Sequence, residues 1–79
     1  MKTMTCNQLG GACDERFRAD TFDKMAELSK NHGTEMFQQK DEAHMRAMQK
    51  MMGMMQDPDA MKKWMEGKRE EFDALPEDA

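Results

Sequence analysis

Two short runs of alternating apolar and polar residues constrain the fold most, because each run carries one of the chain's two cysteines. Residues 2–6 end at Cys6, and residues 13–19 begin at Cys13. Alternation of this kind is typical of half-buried strands. Gly10-Gly11 between the runs has the backbone freedom that a tight turn needs. The pattern predicts an antiparallel hairpin in which Cys6 lies directly opposite Cys13 and both thiols face the core.

A first helix is predicted after the hairpin. Asp20 or Thr21 can cap its N-terminus, because short polar side chains accept hydrogen bonds from the first free backbone N–H groups. From Phe22 onward the apolar residues recur at helical spacing, and the pattern runs to about Gln39. His32 falls on the inner stripe of this helix.

Two further helices are rich in methionine. Asp41 can cap the second helix, whose apolar stripe begins at His44. Because no proline separates it from the first helix, the two could also form one long helix. Asp57 and Pro58 mark the start of a third helix, since Asp is favoured at the N-cap and Pro at the first helical position. We expect the third helix to run to about Phe72.

These elements predict an α+β fold, with a two-stranded antiparallel hairpin packed on a helix and followed by a Met-rich helical hairpin. The 79 residues form a single small domain. Within it we distinguish a ββα unit over residues 1–39, a two-helix extension over residues 40–73 and a frayed acidic tail over residues 74–79. So small a core is marginal, and small scaffolds often need a metal, a disulfide or a partner chain.

The two cysteines and a histidine suggest a metal site, because thiolate and imidazole together suit zinc. A hairpin that packs on the first helix brings Cys6, Cys13 and His32 together. The fourth ligand stays open between His44, Glu15 and a water molecule. The spacing of the two cysteines is wider than in zinc fingers. Two free buried cysteines, or a disulfide between them, are the alternative interpretations.

Residues 1–36 resemble a prokaryotic family described as predicted small metal-binding proteins, a short domain of unknown function. The matching features are an N-terminal MKT start with Cys6, a glycine turn, Cys13-Asp14, Asp20-Thr21 and His32. The resemblance implies a ββα metal-binding unit and no activity. Family members often carry a second histidine about one turn after the first, where this chain has Phe37.

Twelve methionines provide much of the apolar volume. Six of them crowd the second helix, where they span most of its circumference, so some must be exposed or buried against another chain. Core packing by this flexible side chain is one interpretation. We also expect self-association, or binding of a partner helix, through the Met-rich helices. Binding of Cu(I) by thioethers is a third and weaker interpretation.

Charge and composition argue against several functional classes. The net charge of −4, with no cluster of basic residues, argues against nucleic acid as a partner. The N-terminus lacks the apolar run of a signal peptide and no segment is long enough to span a membrane, so a cytoplasmic protein is expected. In that compartment cysteines are more often reduced or metal-bound than paired.

No catalytic motif is present, so a non-catalytic function is expected. The sequence predicts a small metal-binding protein, with zinc as the metal, Cys6, Cys13, His32 and His44 as ligands, and a helical association surface. One alternative is a redox protein that cycles Cys6 and Cys13 between dithiol and disulfide. The other is a metal-free helical adaptor.

Overall fold

The computed structural model of the chain describes residues 1–78. In chain order the elements are strand β1 (Lys2–Thr5), a 3₁₀ turn (Asn7–Leu9), strand β2 (Arg16–Ala19) and helices α1 (Phe22–Gln38), α2 (Glu42–Met55) and α3 (Pro58–Ala74). The two strands form an antiparallel sheet that packs against α1, and the α2–α3 hairpin follows. The predicted α+β class and this order of elements are confirmed.

The register of the hairpin differs from the predicted one. Met4 pairs with Phe17, and the Cys6 N–H donates to the Glu15 carbonyl at 2.8 Å. The prediction that Cys6 lies directly opposite Cys13 is therefore wrong by two positions. The strands stop early because Cys6 already has helical backbone angles at the start of the 3₁₀ turn. A shift of two residues leaves the same side chains on the core face.

All three helices begin at a side-chain cap. The side chain of Thr21 accepts a hydrogen bond from the Lys24 N–H at the start of α1. Asp41 caps α2, and Asp57 caps α3 with Pro58 at the first helical turn, as predicted. No helix in residues 1–78 combines the length and the apolar character that a bilayer span requires.

The first two helices are separate. They are joined by a tight turn in which Lys40 has a left-handed φ of 57°. The Lys40 N–H donates to the Phe37 carbonyl, and the Asp41 N–H donates to the Met36 carbonyl, both at the end of α1. This turn satisfies carbonyl groups that a helix end otherwise leaves free. It also sends α2 back alongside α1.

The core lies between the inner face of the hairpin, α1 and the end of α3. Its buried members are Met4, Cys6, Leu9, Phe17, Ala19, Phe22, Met25 and Phe72. Phe72 closes one end, where its ring meets Phe22 edge-on at 5.9 Å between centroids. Only two of the methionines in residues 1–78 belong to this core, so the α2 methionines lie at its margin or outside it.

The acidic tail is attached to the hairpin at Asp78. Its carboxylate accepts a hydrogen bond from the Thr3 hydroxyl at 2.7 Å and pairs with Arg18 at 3.3 Å. The Asp78 N–H also donates to the Met1 carbonyl. The prediction of a frayed tail is therefore wrong at Asp78, because Met1 and Thr3 beside or within β1 and Arg18 on β2 provide partners for it. Ala79 lies outside the described residues.

Candidate metal centre

Four side chains from three parts of the fold converge beside the hairpin loop. Cys6 and Cys13 flank the loop, His32 comes from α1 and His44 from α2. Each offers one ligand atom, and these atoms all lie within 4.8 Å of one another. The four residues are the ones that the sequence predicts.

The closest contacts within this cluster are between sulfur and nitrogen. Cys13 Sγ lies 3.2 Å from His32 Nε2, and Cys6 Sγ lies 3.6 Å from His44 Nε2. Zinc–ligand bonds of about 2.0–2.3 Å at tetrahedral angles place neighbouring ligand atoms about 3.3–3.8 Å apart. These two sulfur–nitrogen separations are close to that range, and the other pairs of ligand atoms lie within 4.8 Å.

The loop between the cysteines is tied back to Cys6 by its backbone. The Cys6 carbonyl accepts hydrogen bonds from Leu9 N–H at 3.0 Å and from Gly11 N–H at 2.8 Å. Gly11 passes so close to the sulfur that a Cβ there would lie 2.1 Å from Cys6 Sγ. Only glycine fits this approach, so Gly11 fixes the space in which the first sulfur lies.

The two imidazole rings are held in different ways. His32 packs edge-on against Phe17 at 5.4 Å between centroids, which orients it toward the hairpin. His44 lies in the first turn of α2, where one oxygen of the Asp41 carboxylate accepts from both the His44 N–H and its Nδ1. These hydrogen bonds hold the pKa of Asp41 below its usual range.

The ionised Asp41 carboxylate decides the tautomer of His44. A carboxylate only accepts hydrogen bonds, so Nδ1 carries a proton and Nε2 is the ring nitrogen that faces the cluster. A carboxylate behind a ligating histidine is the common second shell of zinc sites. Asp41 is the functional residue that sequence reasoning missed, because it was assigned only as a helix cap. Its position three residues before a histidine was the available signal.

Burial differs between the two thiols. Cys6 is buried, with 3% of its surface exposed, whereas Cys13 is half-buried. Burial raises the pKa of the Cys13 thiol above its ordinary value, although a hydrogen bond from the Glu15 backbone acts in the opposite direction. Cys13 without a cation is therefore protonated at neutral pH. A bound cation reverses this preference, because thiols that coordinate zinc are deprotonated.

The remaining candidate ligands lie outside the cluster. Glu15 is exposed and contributes no atom to it. Phe37, at the position where the resembled family often has its second histidine, is 58% exposed. His44 from α2 is the fourth member of the cluster instead. Both cysteines are free thiols.

Two sulfur donors and two nitrogen donors are typical of a structural zinc site. Two thiolates and two imidazoles would complete the four-coordination of a zinc ion without water. The donor set is soft, which disfavours Mg²⁺ and Ca²⁺. The cluster can therefore hold a divalent metal and join the hairpin to two helices.

No protein-family model, curated protein or solved structure matches the chain. The family resemblance rests on the residues quoted for it within 1–36.

Proposed function

We propose that this chain is a small, non-catalytic zinc-binding protein in which one zinc ion fastens the hairpin to α1 and α2. The convergence of four soft donor atoms within 4.8 Å is the observation that carries the proposal. We propose a reducing compartment, the cytoplasm, as its location, because free thiols persist there.

A structural role for the metal follows from the size of the core. Eight buried apolar residues form it, and none of the α2 methionines is among them. A structural zinc contributes about 10–16 kcal/mol of apparent binding free energy in small domains, which is folding free energy where the site is absent from the unfolded chain. His44 would attach α2 to the hairpin through this metal.

The geometry favours this function over thiol–disulfide catalysis. A redox enzyme needs an accessible thiol with a lowered pKa. Here Cys6 is buried and the pKa of Cys13 is raised. A site with four protein donors also has no open position for a substrate, so the protein is proposed to have no enzymatic activity.

The second part of the proposal is self-association through the Met-rich helices. Met52 and Met55 on α2 are 61% and 62% exposed, and Met65 on α3 is 37% exposed. Large flexible apolar side chains at the surface are typical of adaptable binding surfaces. A second copy of the chain is the proposed partner.

Native mass spectrometry of purified protein tests the metal assignment. We expect one zinc per chain in the wild type and none in Cys6→Ser or His44→Ala. Glu15→Gln is the matched control, because this carboxylate neighbours the site without contributing to the cluster; it should retain the zinc. Wild-type protein that binds no zinc when refolded with it contradicts the proposal and supports a metal-free adaptor.

A further inference from the structure

The two sulfurs of the cluster lie on one segment of chain. Cys6 Sγ and Cys13 Sγ are within 4.8 Å of each other, on either side of the loop 7–12. A disulfide bond requires a separation of about 2.05 Å. Because Cys6 and Cys13 directly flank this short loop and neither lies in a helix, their sulfurs can approach each other without movement of α1 or α2. The two histidines, by contrast, are fixed to those helices.

The two sulfurs differ in access from solvent. Cys6 is buried beneath the loop, with Gly11 against its sulfur, whereas Cys13 is half-buried at the edge of the site. A small oxidant reaches Cys13 first. Cys6 is then the nearest thiol that can react with the oxidised sulfur.

We propose that Cys13 and Cys6 form an oxidative modification site, at which a hydroperoxide converts the two zinc-binding thiolates into a disulfide and the zinc is released. This inference rests on the proposed function, since it assigns a regulation to the same site. It differs from thiol–disulfide catalysis because the oxidation is stoichiometric and its outcome is loss of the metal.

With hydrogen peroxide as the hydroperoxide, the chemistry balances at one molecule per chain. The Cys13 thiolate attacks one peroxide oxygen, the O–O bond breaks, and the sulfur becomes a sulfenic acid while hydroxide leaves. The Cys6 thiolate then attacks that sulfur, the S–S bond forms, and a second hydroxide leaves. Two protons from solvent convert both hydroxides to water. The two sulfurs have lost two electrons in total, and the peroxide has gained them.

Oxidation removes two of the four donors but leaves the core. His32 and His44 alone do not complete a structural zinc site. Seven of the eight buried core residues carry no donor atom, whereas Cys6, the eighth, becomes part of the disulfide. The expected product is a zinc-free protein in which the hairpin is no longer fastened to α2 and whose free energy of unfolding is lower than that of the zinc-bound form.

Hydrogen peroxide added to zinc-loaded wild-type protein tests the proposal. Zinc release is followed with a colorimetric chelator, and the cysteines are analysed by mass spectrometry of the tryptic peptide 3–16, which contains both of them. We expect release of one zinc per chain, with that peptide lighter by two hydrogen atoms and no intermolecular crosslink. A thiol reductant followed by zinc should restore the metal-bound form.

Oxidation of methionine is the competing cause of zinc release, so it needs a control. The variant Met52→Leu/Met55→Leu removes the two most exposed methionines and should release zinc at the same rate as the wild type. If the protein keeps its zinc in the presence of peroxide, the proposed modification site is wrong. It is also wrong if zinc is released but the cysteines are recovered as sulfinic acids. A protein that never binds zinc contradicts the proposed function instead, and the same peptide still shows whether Cys6 and Cys13 pair.

Discussion

A single carboxylate oxygen of Asp41 accepts two hydrogen bonds from His44. Oδ2 of Asp41 accepts from the His44 backbone N–H at 3.0 Å and from His44 Nδ1 at 2.5 Å. The first hydrogen bond caps α2, and the second orients the imidazole toward the cysteines. The start of α2 and the position of the fourth donor are therefore determined by the same side chain.

The variant Asp41→Asn separates these two roles. Asparagine still caps a helix, but its neutral amide is a weaker acceptor for Nδ1–H. We expect zinc affinity to fall by about 10–100-fold, as for other second-shell changes, with the helix content preserved. Competition with a zinc chelator measures the affinity, and circular dichroism measures the helix content.

The matched control is Asp57→Asn, which makes the same substitution at the cap of α3, away from the site. It should leave zinc affinity unchanged. Equal zinc affinity of Asp41→Asn and Asp57→Asn would show that Asp41 acts only as a cap.

Gly11→Ala tests how tightly the loop encloses the first sulfur. The added methyl group would lie 2.1 Å from Cys6 Sγ, so the sulfur or the loop must move. We expect zinc affinity to fall by more than about tenfold, which corresponds to about 1.4 kcal/mol. The measurement is chelator competition on the purified variant.

Gly53→Ala provides the comparison for Gly11→Ala. Gly53 lies in α2 with no atom within 4 Å of the position of an added Cβ. Alanine there should raise the free energy of unfolding by about 1 kcal/mol, because glycine is a poorer helix former. Zinc affinity that is the same in both alanine variants would contradict the close approach of Gly11 to the sulfur.

The hairpin shows how far the sequence determines the site. Alternation in both runs predicted which side chains face the core, and Met4 and Phe17 do so. The pairing register of the two strands could not be predicted, because the 3₁₀ turn after Cys6 has no strong sequence signal. The error left the site prediction intact, since a two-residue shift keeps both cysteines on the same face.

The fourth ligand could not be chosen from sequence alone. His44 reaches the cysteines only because the chain reverses at Lys40, a non-glycine residue with positive φ. Neither glycine nor proline marks this turn, and a continuous helix would have carried His44 away from the hairpin. Glu15 was a candidate because of its strand position, but its side chain is exposed to solvent.

Asp78 gives a pH-dependent contribution to stability. Its hydrogen bond from Thr3, together with Arg18, holds the pKa of this carboxyl below its usual range. A lowered native pKa means that the contribution is fully present above the pKa of the unfolded chain and is lost as pH falls through the native value. The stability difference between wild type and Asp78→Asn should be constant above about pH 5 and shrink below about pH 4.

Urea denaturation in zinc-containing buffer at several pH values measures this difference. Glu70→Gln on the exposed side of α3 makes the same change in net charge and is the control for net charge alone. If the stability difference between wild type and Asp78→Asn grows as the pH falls, the attachment of the tail to Thr3 is contradicted.

Met52→Glu tests the association surface. A charge at this exposed position should weaken contact with a second copy, whereas the monomer should remain folded, because Met52 is 61% exposed. Sedimentation velocity over a range of concentrations should show dimer for the wild type and monomer for the variant. Gln38→Glu adds the same charge at the end of α1 and should leave the dimer intact. Wild-type protein that stays monomeric at every concentration would rule the surface out.

X-ray absorption at the zinc edge of the loaded protein tests the central claim most directly, because it reports the atoms bound to the metal. The account predicts two sulfurs at about 2.3 Å and two nitrogens at about 2.0–2.1 Å. A shell with fewer than two sulfurs, or one made of oxygen and nitrogen only, would contradict it.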